Sequence, residues 1–365
     1  MKKDSARANL AVIIMAGGMG TRFWPASRER IPKQFLHICS SRPMLEECLI
    51  RIAPLVDPDK IFVVVNVQHG DLTRDLLSGR GIQIIEEPYG RNTLPCIGLG
   101  CVHIMKHLGD CPVIALPADH FISDEKSFRR SLQQGVSLLK DGGIVTLGIA
   151  PTYPETGYGY IEAGPSLGKF GANRVTRFVE KPDVERARRF LASGKHLWNV
   201  GIFFFRPSTM LREIGLHLPK MGQGLDRISE SLETDHYLQT LEETYRKLES
   251  TSVDYGIMEK TEESVYVIKG DFGWSDVGNW AALRKLREVE KDANGNIGPE
   301  KALVLHTKNS FIHSQSDRFI AVLGLDNLLV VDTEDVLLVA NIDDSQELRQ
   351  FPEKLRRKKE WSRYV

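Results

Sequence analysis

The chain has 365 residues, of which 42% are hydrophobic, and its 48 lysines and arginines balance 48 aspartates and glutamates. That length accommodates a large α/β domain with a smaller companion, and that apolar content supports a packed core and excludes intrinsic disorder. Zero net charge excludes a global attraction to nucleic acid or an anionic membrane surface, so any anion site must be local.

Lys2 and Lys3 precede the apolar run Leu10–Ala16, which ends in glycines and has neither the length of a membrane span nor the layout of a signal peptide. Within it, Ala11–Met15 (AVIIM) reads as a strand. Leu45, Cys48, Leu49 and Ile52 recur at helical spacing after Pro43. Ile61–Val65, Ile82–Ile85, Val113–Leu116 and Ile144–Leu147 are β-branched, continuous runs of the kind buried on both sheet faces, with helical segments between them. Strands alternating with helices predict a doubly wound, mostly parallel α/β sheet of Rossmann-like type. From Tyr158 to Phe205 the pattern turns strand-rich, followed by helices around Ser208–Leu216 and His236–Leu248, a strand at Val265–Ile268 and a helix at Trp280–Glu288. After Asn294-Gly295-Asn296, five short strands (ALVLHT, SFIHS, RFIAVLG, LLVVDT, DVLLVAN) follow without a helix until Gln346, then a basic helix (KLRRKKEW) with a solvated face. The expected division is a catalytic domain over 1–290 and a small β-rich, β-helix-like module over 291–365.

Cys39, Cys48, Cys96, Cys101 and Cys111 form no C-x-x-C pair and no zinc spacing. An odd count in a chain that needs no staples predicts reduced thiols and a cytoplasmic protein.

The densest chemistry lies at Met15–Phe35, MAGGMGTRFWPASRERIPKQF. A strand ends, and Gly17, Gly18 and Gly20 let backbone amides approach an anion, with Thr21, Arg22 and Lys33 adding polar and charged groups. The spacing is neither G-x-x-x-x-G-K-[ST] nor G-x-G-x-x-G, which excludes a Walker loop and weakens a dinucleotide fingerprint. Asp119 follows the buried strand Val113–Leu116, where ligands of open α/β sheets gather, although a carboxylate there also suits a helix cap. Asp276 reads equally as a helix cap. Arg91, Asn92, Thr93 and Pro95 present polar groups that could read a base edge, or a plain loop opening a helix.

A-G-G-x-G-x-R followed by P-K-Q-F resembles the signature of the sugar nucleotidyltransferases. Trp24-Pro25 and Ser27-Arg28 within it resemble their mannose-1-phosphate guanylyltransferase branch. The resemblance continues in order through EPYGRNTLP (Glu87–Pro95), LPADH (Leu116–His120), GYGYIE (Gly157–Glu162), FVEKP (Phe178–Pro182), WNVGIFFF (Trp198–Phe205), VDYGIMEK (Val253–Lys260) and GWSDVGNW (Gly273–Trp280). Val200 departs from the small residue usual in W-N-S-G.

The resemblance implies GTP and mannose-1-phosphate as substrates and GDP-mannose and diphosphate as products, with Arg22, Lys33, Asp119 and Asp276 as the catalytic set. Nucleotide binding falls to Ala16, Gly17, Gly18, Gly20, Thr21, Arg22, Lys33, Asn92, Thr93, Pro95 and Asp119. Sugar-phosphate binding falls to Gly157, Glu180, Lys181, Asn199 and Asp254. The family pattern pairs Asp119 with Asp276 around Mg²⁺, a cation that prefers hard oxygen ligands. The alternatives are a transferase for another base or sugar and a non-catalytic, GDP-mannose-sensing regulatory subunit. No nucleic-acid or membrane partner is expected. A homodimer held partly beyond Asn296 is, because the short apolar strands there are too few for a core of their own. His306 and His313 have no neighbouring Glu or His to complete a metal set, and no isomerase activity is expected of a chain ending at Val365.

Overall fold

In the computed structural model of the chain, residues 9–139 and 142–365 are described; Lys2 and Lys3 lie outside them. They fold into two compact units that are not consecutive in the chain. The first takes the stretch up to Gly17 together with Cys48–Ala118 and Ile122–Trp274, and the second takes Gly18–Glu47, Asp119–Phe121 and Ser275–Val365.

The chain runs β1 (Ala11–Met15), α1 (Met44–Ile52), β2 (Ile61–Asn66), α2 (Gly70–Leu77), β3 (Gln83–Glu87), α3 (Thr93–Leu108) and β4 (Val113–Pro117). The two-residue β5 (Phe121–Ile122), α4 (Glu125–Leu138), β6 (Ile144–Ile149), β7 (Tyr160–Ser166), β8 (Ala172–Val179), α5 (Val184–Ser193) and β9 (His196–Phe205) follow. Then come α6 (Pro207–His217), α7 (Pro219–Ser231), α8 (Tyr237–Lys247), one π-helical turn at Asp254–Met258, β10 (Val265–Gly270), β11 (Trp274–Ser275) and α9 (Trp280–Leu286).

Nine strands of the first unit form one sheet in the order β3-β2-β1-β4-β9-β6-β10-β8-β7. The β-branched runs pair in parallel, β1 with β2 and β4, β2 with β3, and β6 with β10. β9 enters antiparallel between β4 and β6, and β7 and β8 form an antiparallel pair at the edge. Helices cover both faces. On one, Ile13, Phe62, Phe203 and Phe205 pack with Leu94, Ile97 and Cys101 of α3, Met210 and Ile214 of α6, and Leu225 of α7. On the other, alternation turns Phe204 toward α4, where Gly135 leaves room for the ring: a Cβ there would stand 2.6 Å from it. This is the doubly wound arrangement, with adjacent strands β1 and β4 ending side by side at Met15 and Pro117.

The second unit gathers Phe23, Trp24, Leu36, Val277, Trp280, Phe311, Leu329 and Val331 into its own core. Its strands are β12 (Ala302–Leu305), β13 (Phe311–Ser314), β14 (Ile320–Leu323), β15 (Leu328–Asp332) and β16 (Leu337–Asn341). β12 stacks in parallel on β14 and β13 on β15 with the same eighteen-residue offset, Ala302 opposite Ile320 and Phe311 opposite Leu329. The corners repeat too: His306 and Gly324, then Asn309 and Asn327, all have positive φ. Two successive coils of a parallel β-helix result. A 3-10 segment (Ile342–Arg349), α10 (Gln350–Arg356) and a final 3-10 segment (Lys359–Tyr364) follow, so the basic run forms a short helix and a separate turn rather than one helix. Among the described residues no helix is long and apolar enough to cross a membrane.

Candidate active site

In the second unit, three widely separated segments converge on one ammonium. Lys33, only 6% exposed, sits in a 3-10 turn after Pro32. Its Nζ donates to Asp119 Oδ2 at 2.7 Å, to the Asp119 carbonyl at 3.1 Å and to the Asp276 carbonyl at 2.6 Å. These acceptors take all three donors of the group. Gly20 permits the approach: its φ is +61°, and a Cβ there would collide with the Lys33 side chain. Burial pushes the Asp119 carboxyl up, but the Lys33 ammonium, with His120, outweighs burial and holds it below the ordinary aspartate value. Arg22 is exposed and makes one long contact, Nη1 to the Gly278 carbonyl at 3.5 Å. Thr21 and Gly18 lie on the same loop.

Neither aspartate caps a helix. Asp124 caps α4, accepting from Ser127 N, and Asn279 caps α9, accepting from Ala282 N. That removes the plainer reading of both. Among the described residues no three His, Cys, Asp or Glu side chains form a metal cage. Two carboxylates of hard oxygen fit a divalent cation that fills its remaining shell with water and phosphate oxygens.

In the first unit, the sugar-phosphate candidates cluster around Asn199. Its Nδ2 donates to Asp254 Oδ1 at 2.8 Å, while its Oδ1 accepts from Gly201 N at 3.1 Å, which fixes the amide orientation. Glu180 Oε1 pairs with Lys181 Nζ at 3.0 Å. Gly159 lets this cluster close: a Cβ there would stand 2.5 Å from Glu180 Oε2. Burial, then the Glu180 carboxylate, pushes the Asp254 carboxyl well above its ordinary value. Lys181 has φ +45° in the turn between β8 and α5, so the E-K-P segment is both a turn and part of the cluster. Gly157 stands in a neighbouring turn, its N–H donating to Glu155 at 2.8 Å. Val200 is buried and belongs to the core.

The base-side candidates divide. Ala16 N continues β1 by donating to the Val64 carbonyl at 2.9 Å, and Gly17 follows exposed. Asn92 caps α3 through Thr93 N, and Thr93 Oγ1 accepts from Val253 N at 3.0 Å. Arg91, read as a possible base reader, instead donates to the Tyr245 and Arg246 carbonyls, satisfying the end of α8. The Pro95 carbonyl stands 3.1 Å from Tyr245 Oη. Sequence reasoning missed Glu87, at the end of β3. It is 2% exposed, accepts from Tyr245 Oη at 3.0 Å, and has its second oxygen 3.7 Å from where a Gly17 Cβ would lie. Burial pushes its carboxyl up to about 8 against the pull of Tyr245. An acid closing a buried strand beside the glycine loop was the available signal.

Residues 11–292 match the nucleotidyl transferase family and residues 300–355 a MannoseP isomerase/GMP-like beta-helix domain. The chain is 38% identical to a mannose-1-phosphate guanylyltransferase of Salmonella montevideo over 94% of its own length and 73% of that protein. It is 39% identical to the xanthan biosynthesis protein XanB of Xanthomonas campestris pv. campestris (strain B100), over 93% and 71%. A solved structure described as mannose-1-phosphate geranyltransferase from Thermus thermophilus superimposes with a TM-score of 0.85 at 35% identity, covering 95% of this chain and 99% of that one. The chain belongs to the nucleotidyl transferase family.

Proposed function

We propose that the chain makes GDP-mannose: a phosphate oxygen of mannose-1-phosphate attacks the α-phosphorus of GTP, the bond from that phosphorus to the β-phosphate bridging oxygen breaks, and diphosphate leaves. The observation that carries this reading is the buried Lys33 ammonium held by Asp119 and Asp276 beside Gly20. A dianionic sugar phosphate must approach a polyanion, so catalysis is mostly alignment and charge neutralisation. Arg22, Thr21 and the amides of Gly18 and Gly20 would hold the triphosphate. Lys33 reaches a phosphate oxygen by giving up its bond to the Asp119 carboxylate. Nucleotidyltransferases of this family generally use a divalent metal; Asp119 and Asp276 would hold it as Mg²⁺, and bound there it supplies positive charge at the reacting phosphates.

Guanine presents N1–H and N2–H side by side, and a carboxylate accepts both. Glu87 would supply that carboxylate by giving up, as the two guanine donors arrive, the proton that burial favours; it stands next to the backbone of Ala16 and Gly17 and the start of α3 at Asn92, Thr93 and Pro95. Glu180, Asn199 and Asp254 would take sugar hydroxyls, with Gly157 adjoining. Lys181 would orient the nucleophilic phosphate as a point charge.

Residues 1–290 would carry the chemistry and 291–365 assembly. Leu303, Leu305 and Leu323 are 48%, 48% and 66% exposed on the outer face of the first coil pair, an apolar surface suited to a homodimer. Light scattering at micromolar concentration tests it, and a monomer there overturns it. Five free thiols, four of them buried, fit a cytoplasmic setting.

The function is tested by diphosphate release from purified protein across nucleoside triphosphates and hexose-1-phosphates. GTP with mannose-1-phosphate is expected to dominate, and Glu87→Gln to cut the preference for GTP at least tenfold. An equal or faster rate with another pair overturns the assignment.

A further inference from the structure

Trp24, Pro25, Ser27 and Arg28 stand out in the sequence, yet none of them is assigned to the reaction, and Arg28, which alone carries a charge, pairs with Asp335. They lie between Arg22 and Lys33, where the loop has only single 3-10 turns, at Thr21–Phe23 and Lys33–Phe35. Secondary structure alone therefore does not fix the positions of the two cations.

Within the second unit, residues more than three hundred positions further along hold that loop. The Trp24 indole stacks on Phe351 with centroids 4.8 Å apart and planes 5° from parallel, and its Nε1 donates to the Tyr364 carbonyl at 2.8 Å. Arg28 forks onto Asp335, Nη2 to Oδ1 at 2.8 Å and Nη1 to Oδ2 at 3.4 Å. Glu29 pairs with Arg356 at 2.7 Å, and its N–H donates to the Val365 carbonyl at 3.3 Å. Inside the loop, Ser27 Oγ donates to the Gly20 carbonyl at 2.6 Å, carrying the restraint to the glycine that borders Lys33.

The geometry points to a strap. The segment Phe351–Val365, with Asp335, positions the loop that carries Arg22 and Lys33, so turnover depends on side chains that touch no substrate. The inference rests on the reading of Arg22 and Lys33 given above. Phe351 and Asp335 are positioning residues. Displacing a reacting group by about 1 Å costs on the order of a hundredfold in rate. An exposed ion pair such as Glu29–Arg356 contributes little by itself, so the aromatic stack and the Arg28 fork carry most of the restraint.

The test compares Phe351→Ala, Phe351→Tyr, Asp335→Asn and Lys33→Ala in the full chain, below their melting temperatures. Phe351→Ala is expected to lower kcat ten- to a hundredfold, leave the KM for mannose-1-phosphate within twofold, and speed amide exchange over residues 18–35 but not in β1–β4. Phe351→Tyr keeps the stack and should restore kcat. Asp335→Asn, which stays isosteric, should lower kcat severalfold and answers the question if Phe351→Ala fails to fold. Wild-type kcat in Phe351→Ala, or in Asp335→Asn when only that variant folds, while Lys33→Ala collapses turnover, overturns the strap alone. Near-normal turnover in Lys33→Ala overturns the underlying reading of the loop instead.

Discussion

Asp119 and Asp254 are the same residue in two opposite electrostatic settings. Both are half-buried, and burial alone would raise both carboxyls. Asp119 faces the Lys33 ammonium and is held down; Asp254 faces the Glu180 carboxylate and is pushed up. At Asp254 burial sets the sign and the neighbouring carboxylate reinforces it, whereas at Asp119 the neighbouring ammonium overrides burial. The lysine-bound cluster of the second unit thus presents fixed charge, as an electrostatic role in phosphoryl chemistry requires. The acid–amide cluster of the first unit holds its proton to a higher pH than an ordinary aspartate, which suits hydrogen bonds to hydroxyls.

If that contrast is functional, the largest effect falls on the fixed-charge side. Asp119→Asn and Asp276→Asn should each cost about a thousandfold in kcat, roughly 4 kcal/mol of transition-state stabilisation. The double variant should be little worse than either single one, because the two act as a unit. Asp254→Asn still accepts from Asn199 and should lose far less. Near-normal activity in either Asn variant, assayed below its melting temperature at saturating Mg²⁺, breaks the contrast.

The same pair of substitutions should move stability in opposite directions with pH. For Asp254 the folded-state carboxyl is raised, so its contribution is fully present below the unfolded value near 4 and is lost as pH climbs through the folded value, by at most about 1.4 kcal/mol per pH unit. Asp254→Asn escapes that loss and should gain melting temperature relative to wild type as pH rises from 5 to 8. For Asp119 the folded-state carboxyl is lowered, so its contribution is present above the unfolded value and lost as pH falls through the folded one. Asp119→Asn should therefore melt below wild type at pH 7, the gap closing toward pH 3. Parallel melting curves for the two variants across this range would contradict the assigned signs.

Legibility in the sequence followed how locally each feature is encoded. AVIIM and IFVVV read as strands because strands buried on both faces need no partner pattern to be recognised. α7 was missed although Met221, Leu225 and Ile228 recur at helical spacing. Gly222 and Gly224 weaken its propensity, and Gly222 is what lets the helix back against Gly215 of α6. α5 was missed although Val184, Ala187, Phe190 and Leu191 recur at helical spacing; only Ala187 of them is fully buried, and the charged Arg186, Arg188 and Arg189 dominate the run. Motifs exposed Lys33, Asp119 and Asp276 as candidates. The ammonium's bonds to positions 86 and 243 residues away are tertiary facts. Glu87 stayed hidden because a strand-ending glutamate is ordinary until its neighbours exclude water.

The interleaving of the two units has a consequence during synthesis. Trp24 leaves the ribosome early, and the carbonyl its indole binds is 340 residues downstream. At about 5–20 residues per second, roughly 20 to 70 s separate the two. For that interval the nascent loop has no Phe351 to stack upon, and its indole stays open to water and to chaperones. Cotranslational folding can build the β3-β2-β1-β4 half of the sheet early, but the loop gains its full set of neighbours only when the last coil and its closing helix emerge.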